Sequence, residues 1–142
     1  MRRTWRMVIA LLLLGSGCGR GGNVESEMFF PTWDPDGPVP GGIVQGVLVE
    51  EDRCLFIEAH GQRTLVLWEI GLGFEEGALL DPAGAPIAEV GELIHGGGGC
   101  YDDRDRFERL AEEQIPDRCM PDGAESFAMS YGVEAGPFEC AI

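Results

Sequence analysis

From Ile43 onward, apolar and polar positions alternate with a period of two. Ile43, Gln45, Val47 and Val49 share one face of this stretch, and Val44, Gly46, Leu48 and Glu50 share the other. Such alternation predicts a β-strand, because successive side chains on a strand point to opposite sides. The polar cluster Glu50-Glu51-Asp52-Arg53 predicts a turn. Residues 54–60 form a second strand, Gly61-Gln62-Arg63 a second turn, and residues 64–70 a third strand. The third strand is almost wholly apolar, which predicts that both of its faces are covered. Three short strands separated by turn signals predict an antiparallel meander.

Gly71-Leu72-Gly73-Phe74 breaks this pattern. Ala78-Leu79-Leu80 and residues 87–90 then flank Asp81-Pro82-Ala83-Gly84, a turn in which proline presets φ. Leu93-Ile94-His95 extends the second arm, and the run Gly96 to Gly99 reads as a flexible loop. Residues 126–133 alternate again, with Phe127, Met129, Tyr131 and Val133 on one face and Ser126 and Ser130 on the outer face. One helix is predicted from Phe107, Leu110, Ala111 and Ile115, which fall on a single stripe. Asp102 or Asp103 caps it, Asp105 pairs with Arg109, and Pro116 stops it. Five or six strands plus one helix over residues 42–142 predict a mainly β fold. Its expected form is a small antiparallel, OB-like, partly closed barrel with one short α-helix, stapled by disulfides.

The N-terminus follows a different pattern. Arg2, Arg3 and Arg6 precede the apolar run of residues 7–14, then Gly15-Ser16-Gly17 and Cys18. A basic start, a short apolar stretch and small residues make residues 1–17 a secretory signal peptide. The run is too short to span a bilayer, which takes roughly 20 apolar residues. Leu14-Gly15-Ser16-Gly17-Cys18 resembles the lipobox of bacterial lipoproteins, with Ser16 and Gly17 matching and Gly15 standing where leucine is usual. That resemblance implies cleavage before Cys18, lipidation of its sulfur and acylation of the new N-terminus. The alternative is ordinary cleavage and a soluble secreted protein. Residues 18–41 are then the lipidated cysteine and a Gly/Pro-rich tether. Its aromatic residues Phe29, Phe30 and Trp33 are expected to pack on the edge of the body, because their large apolar area is costly to leave wet.

Composition narrows the chemistry. All ten basic residues of the 142 are arginine, which excludes a phosphate-binding P-loop lysine, Schiff-base chemistry and a lysine base. The formal net charge is −15, and removing the signal takes away three arginines and no acid, giving −18. Such a surface repels nucleic acid and anionic membranes, so stable attachment falls to acyl chains. The five cysteines are Cys18, Cys54, Cys100, Cys119 and Cys140. Lipidating Cys18 leaves four, enough for two disulfides in an oxidising compartment. Four cysteines allow three connectivities, and spacing does not choose among them.

Several short stretches carry a further resemblance. Gly46-Val47-Leu48-Val49, Cys54-Leu55, Leu67-Trp68, Asp81 to Gly84, Val90-Gly91-Glu92, Gly96 to Gly99, Ile115-Pro116 and Cys119 resemble small secreted β-barrel lipoproteins of GC-rich bacteria. The likeness covers residues 42–133. It implies Cys54 to Cys119 as one disulfide, leaving Cys100 to Cys140 as the other. In that family tryptophan is typically followed by proline, and Glu69 departs from the pattern. The family brings no activity with it.

No catalytic set emerges. His60 and His95 lie in no metal-ligand spacing. His95 precedes the glycine run, but Asp102, Asp103 and Asp105 follow it and repel phosphate. Ser26, Ser126 and Ser130 lie in no Gly-x-Ser-x-Gly motif. Pairs of carboxylates abound among 25 acids and so single out no site. Asp34-Pro35-Asp36-Gly37 and Asp102-Asp103-Arg104-Asp105 cluster hard oxygen donors, but neither completes a twelve-residue calcium loop. A turn and a helix cap account for them, and no metal or cofactor is expected. The expected function is therefore a non-catalytic, monomeric binding or structural module. It is lipid-anchored on the outer side of the cytoplasmic membrane or in the outer membrane. Its partners are the membrane and an envelope protein, with no nucleic acid. A secreted acidic ligand- or calcium-binding domain is the alternative, with a carboxylate-dependent envelope hydrolase behind it.

Overall fold

The computed structural model of the protein describes residues 27–120 and 127–137. The predicted signal peptide, Cys18, Ser26, Ser126 and Cys140 lie outside the described residues. In chain order the elements are β1 (Thr32–Trp33), β2 (Gly42–Glu51), β3 (Cys54–Ala59), β4 (Gln62–Glu69), β5 (Gly73–Glu75), β6 (Ala78–Leu80), β7 (Pro86–Glu89), β8 (Leu93–Tyr101), α1 (Arg104–Ala111) and β9 (Phe127–Ala135). A 3-10 turn at Asp117–Cys119 lies between α1 and β9.

The predicted meander is present: β2 pairs antiparallel with β3, and β3 with β4. Its turns are two residues long. Asp52-Arg53 has φ of 50° and 61°, and His60-Gly61 has 52° and 75°. Positive φ at both central positions gives a turn whose twist matches the flanking strands. Asp52 and Arg53 adopt this without glycine, held by two outside contacts. Phe29 N–H donates to the Arg53 carbonyl at 2.8 Å, and Arg118 Nε to the Asp52 carbonyl at 3.1 Å. Across the hairpins, Arg63 bonds Glu58 at 2.9 Å and also pairs with Glu51.

The sheet runs β4-β3-β2-β8-β9, and β9 returns to pair in parallel with β4. That junction spans Leu65 opposite Phe127, Val66 opposite Ala128 and Leu67 opposite Met129. The result is a partly closed sheet. Where the ladder ends, the Glu69 carboxylate accepts from Gly132 N–H at 2.8 Å. Glu69 thus prolongs the junction. Strands β5, β6 and β7 form a separate antiparallel sheet around the Asp81 turn. There the Asp81 carboxylate accepts from Ala83 N–H at 2.9 Å and from Ala85 N–H at 2.8 Å. Strand β5 falls where the Gly71-Leu72-Gly73-Phe74 break hides a three-residue strand from the alternation pattern.

Two apolar clusters flank the curled sheet. One gathers Val44, Leu48, Leu55, Ile57, Val66, Trp68, Ile94 and Ala128 from all five of its strands, with Leu79 and Ala88 of the small sheet against them. The other lies on the opposite face, where Phe56, Leu65, Leu67 and Phe127 meet Phe29, Trp33, Phe107, Ile115 and the half-cystines Cys54 and Cys119. Leu65, Val66, Leu67 and Trp68 are all buried, so both faces of β4 are covered as predicted. Phe29 and Trp33 are buried too, and Phe30 stacks on Trp68 at 5.6 Å. The aromatic stretch ahead of residue 42 is therefore packed into the body, as expected.

The glycine run is not a loop. Gly96 to Gly99 lie inside β8, which pairs with β2 on one side and β9 on the other. Close approach is the reason. A methyl group on Gly97 would fall inside the Tyr131 ring, one on Gly96 would lie 2.9 Å from the Tyr131 carbonyl, and one on Gly99 would lie 2.9 Å from Pro40. Bare backbone lets these groups lie directly on the strand. Ser130 also departs from expectation. It is buried at 1% exposure rather than set on an outer face, and Trp33 Nε1 donates to its carbonyl at 3.0 Å.

The Cys54–Cys119 disulfide forms, with Cα atoms 5.5 Å apart at a sequence separation of 65. Replacing both cysteines by alanine should lower unfolding free energy by about 4 kcal/mol, the value for a loop of that length; denaturant titration measures it. Substituting Gly97→Ala should cost about 1–3 kcal/mol by forcing the Tyr131 ring aside, read from the same titration.

Candidate functional site

Helix α1 is short and carefully ended. The Asp103 carboxylate caps it by accepting from Arg106 N–H at 2.9 Å. Asp105 lies in the first turn and Arg109 in the last, which suits the helix dipole. The stop comes at Glu112, whose φ of 53° is left-handed, well before Pro116. A carboxylate clasp explains the early stop. Glu108 Oε1 accepts from Arg104 Nε at 3.0 Å and from Ile115 N–H at 3.0 Å. Arg104 also donates to the Ile115 carbonyl at 3.3 Å. The clasp folds the chain back so that Ile115 enters the core from outside the helix. The working ion pair on the helix is thus Arg104 with Glu108, whereas the spacing had pointed to Asp105 with Arg109.

This ending shapes a cleft of about 430 Å³ between β1 and the last turn of α1. Trp33 forms part of one wall, with Thr32 and Asp34 beside it, and Leu110 and Ala111 form part of the other. Ile70 at 59% exposure and Leu110 at 37% are large apolar side chains left open to water. Both lie in this cleft. Arg109 and Glu112 complete its charged rim. The sequence pattern had put Leu110 on the buried stripe, and only Phe107 of the helix is buried.

The edge of β1 also lies here. Trp68 N–H donates to the Pro31 carbonyl at 2.9 Å, and Ile70 N–H to the Trp33 carbonyl at 2.8 Å. With Thr32 opposite Trp68 in a parallel ladder, Thr32 turns its own N–H and C=O away from β4. Among the described residues no strand pairs with that edge.

The other candidate residues take structural places. Asp34 closes a local turn by accepting from Asp36 N–H at 3.1 Å, and Asp103 is the helix cap. Among the described residues, no three His, Cys, Asp or Glu side chains gather to hold a metal ion. His95 Nδ1 lies 2.9 Å from the Gly136 carbonyl, and its Nε2 lies 3.6 Å from Glu134. The register sets His95 opposite Glu134 and Ser130 opposite Gly98, and among the described residues the buried Ser130 hydroxyl has no hydrogen-bond partner. His60 sits exposed in the β3–β4 turn. Cys100 is exposed near the end of β8, while its expected partner Cys140 is outside the described residues. Among the described residues no helix is long and apolar enough to cross a membrane. No protein-family profile, curated protein or solved structure matches the chain.

The clasp gives the wall of the cleft a pH dependence. The Ile115 N–H and then the Arg104 guanidinium hold the Glu108 carboxyl below its ordinary value of 4.5. Its contribution to stability is therefore complete above that value and is lost as the pH falls through the lower, folded-state value. Thermal melts across this acid range should show that loss in the parent protein and a flatter profile in Glu108→Gln.

Proposed function

We propose that this chain is a non-catalytic, lipid-anchored module of a bacterial envelope, exported, cut before Cys18 and held by acyl chains on that cysteine. The observation that carries the export half of this reading is the buried Cys54–Cys119 disulfide. Such bonds persist in oxidising compartments and are rare in cytosolic proteins. The lipobox-like segment before Cys18 supports the anchor. Eleven residue spacings separate Cys18 from Phe29, the first buried aromatic. Fully extended, they reach at most roughly 40 Å, so the body stays close to the bilayer.

The module's work on this reading is to bind an envelope protein as a monomer. The cleft beside α1 supports it, because it places apolar side chains, charges and an unpaired strand edge together. A chain of net charge −15 is poorly suited to nucleic acid. The strand order β2-β3-β4-β9-β8 supports an OB-like description of the partly closed sheet. A second disulfide between Cys100 and Cys140 completes the pairing of the exported cysteines.

Intact mass of the native protein extracted from membranes tests this reading. The expected species begins at Cys18, carries acyl groups, and exposes four thiols only after reduction. Cys18→Ala should move the protein from the membrane fraction to the soluble fraction. An unlipidated species with a free Cys18 thiol overturns the anchor.

A further inference from the structure

We propose that the cleft between β1 and α1 is a docking site for an extended peptide segment carrying a basic and an apolar side chain. This rests on the reading of the chain as a binding module and names the chemistry of its partner.

Charge complementarity carries the basic half. The last turn of α1 ends with the carbonyls of Arg109, Leu110 and Ala111. Glu108 is the acceptor for both Glu112 N–H and Glu113 N–H, so those three carbonyls lack such donors there. The C-terminal end of a helix carries partial negative charge and attracts cations. The Asp34 and Glu112 carboxylates line the same cleft. One cation, Arg109, shares it, and its guanidinium is a donor suited to the carbonyls of an incoming backbone.

Exposed apolar surface carries the other half. Ile70 and Leu110 face the same space from opposite walls, above the nearly buried Trp33. Apolar side chains grouped in this way mark interaction sites more than scattered ones do. Thr32 supplies the reason for an extended occupant. Its outward N–H and C=O match the one N–H and one C=O that a residue of an added strand presents. Side chains two apart on such a strand fall on the same face. An apolar residue and a basic residue spaced that way meet Ile70 and Leu110 on one hand and the acidic rim on the other.

The test uses the chain from residue 18 onward and three synthetic hexapeptides of serine that differ only at their second and fourth positions, two apart on one strand face, which carry Val/Arg, Val/Glu or Ser/Arg. Binding is followed by calorimetry at two salt concentrations. The Val/Arg peptide should bind at least about tenfold tighter than either of the others. The double variant Ile70→Ser, Leu110→Ser should weaken it by about tenfold. Asp34→Asn with Glu112→Gln should weaken it and reduce its salt dependence. Thr32→Pro, which removes the outward N–H together with the threonine side chain, should weaken it as well, whereas Thr32→Ala, which keeps that N–H, should not. Melting curves identify any variant that fails to fold, and the surface pair Ile70 and Leu110 then decides the matter.

Equal binding of the Ser/Arg peptide overturns the proposal, since the attraction is then that of net charge alone. Unchanged affinity in the cleft variants, or no binding of any peptide, also overturns it. Those outcomes leave the lipid-anchored reading intact, because the mass and fractionation of Cys18 variants are independent of the cleft.

Discussion

Strand β4 is hydrogen-bonded along both edges and covered on both faces. Antiparallel β3 and, beyond it, β1 take one edge, and parallel β9 takes the other. Its four consecutive apolar residues, Leu65 to Trp68, feed two separate cores. Joining β9 to β4 brings together residues far apart in sequence, so the entropy of closing that loop must be met by contacts on both faces. One face supplies Val66 and Trp68 to the cluster that the curled sheet surrounds. The other supplies Leu65 and Leu67 to the layer of α1, the 3-10 turn and the aromatic stretch. Without this junction the sheet stays open between β4 and β9, and Phe127 is not held against Phe107 and the rest of that cluster.

The disulfide and Arg118 reinforce the same layer from one end. Cys119 ties the 3-10 turn to the start of β3, and Arg118 donates to the carbonyls of Asp52 and Glu27. At the other end the Glu108 clasp turns the chain back after α1. The segment between β8 and the 3-10 turn is thus fixed by an apolar anchor, a covalent bond and a charge-assisted hydrogen-bond pair. Each limits where the others can sit. The cleft follows from this, since ending α1 at Ala111 leaves its last carbonyls and Leu110 beside Ile70 instead of beneath another turn of helix.

The candidate site carries little of the chemistry that short motifs announce. Its parts come from β1, from the residue after β4 and from the end of α1, none of them neighbours in sequence. Chemistry-bearing residues that were conspicuous in the sequence went elsewhere. Asp103 caps the helix, Asp34 closes a turn while keeping its place on the cleft, and His95 bonds the carbonyl of Gly136. In a strongly acidic chain most carboxylates serve turns, caps and solvation, and position alone distinguishes the few at a cleft.

By itself the sequence determined the local elements whose cause is local. Alternation placed β2, β3 and the strand of residues 127–135, turn chemistry placed the hairpins and the Asp81 turn, and an apolar run marked β4 as covered on both sides. Period and propensity act over a few residues, so they are legible there. Tertiary structure decided what depends on distant neighbours. It put the four-glycine run inside a strand because Tyr131 and Pro40 needed the space, and it buried Ser130 where Trp33 reaches its carbonyl. It ended α1 early because Glu108 reached Ile115, and it left Ile70 and Leu110 exposed across a cleft. Apart from the Glu108 clasp, which reaches across only seven residues, those outcomes are set by contacts between segments far apart in the sequence, and no local pattern records such contacts.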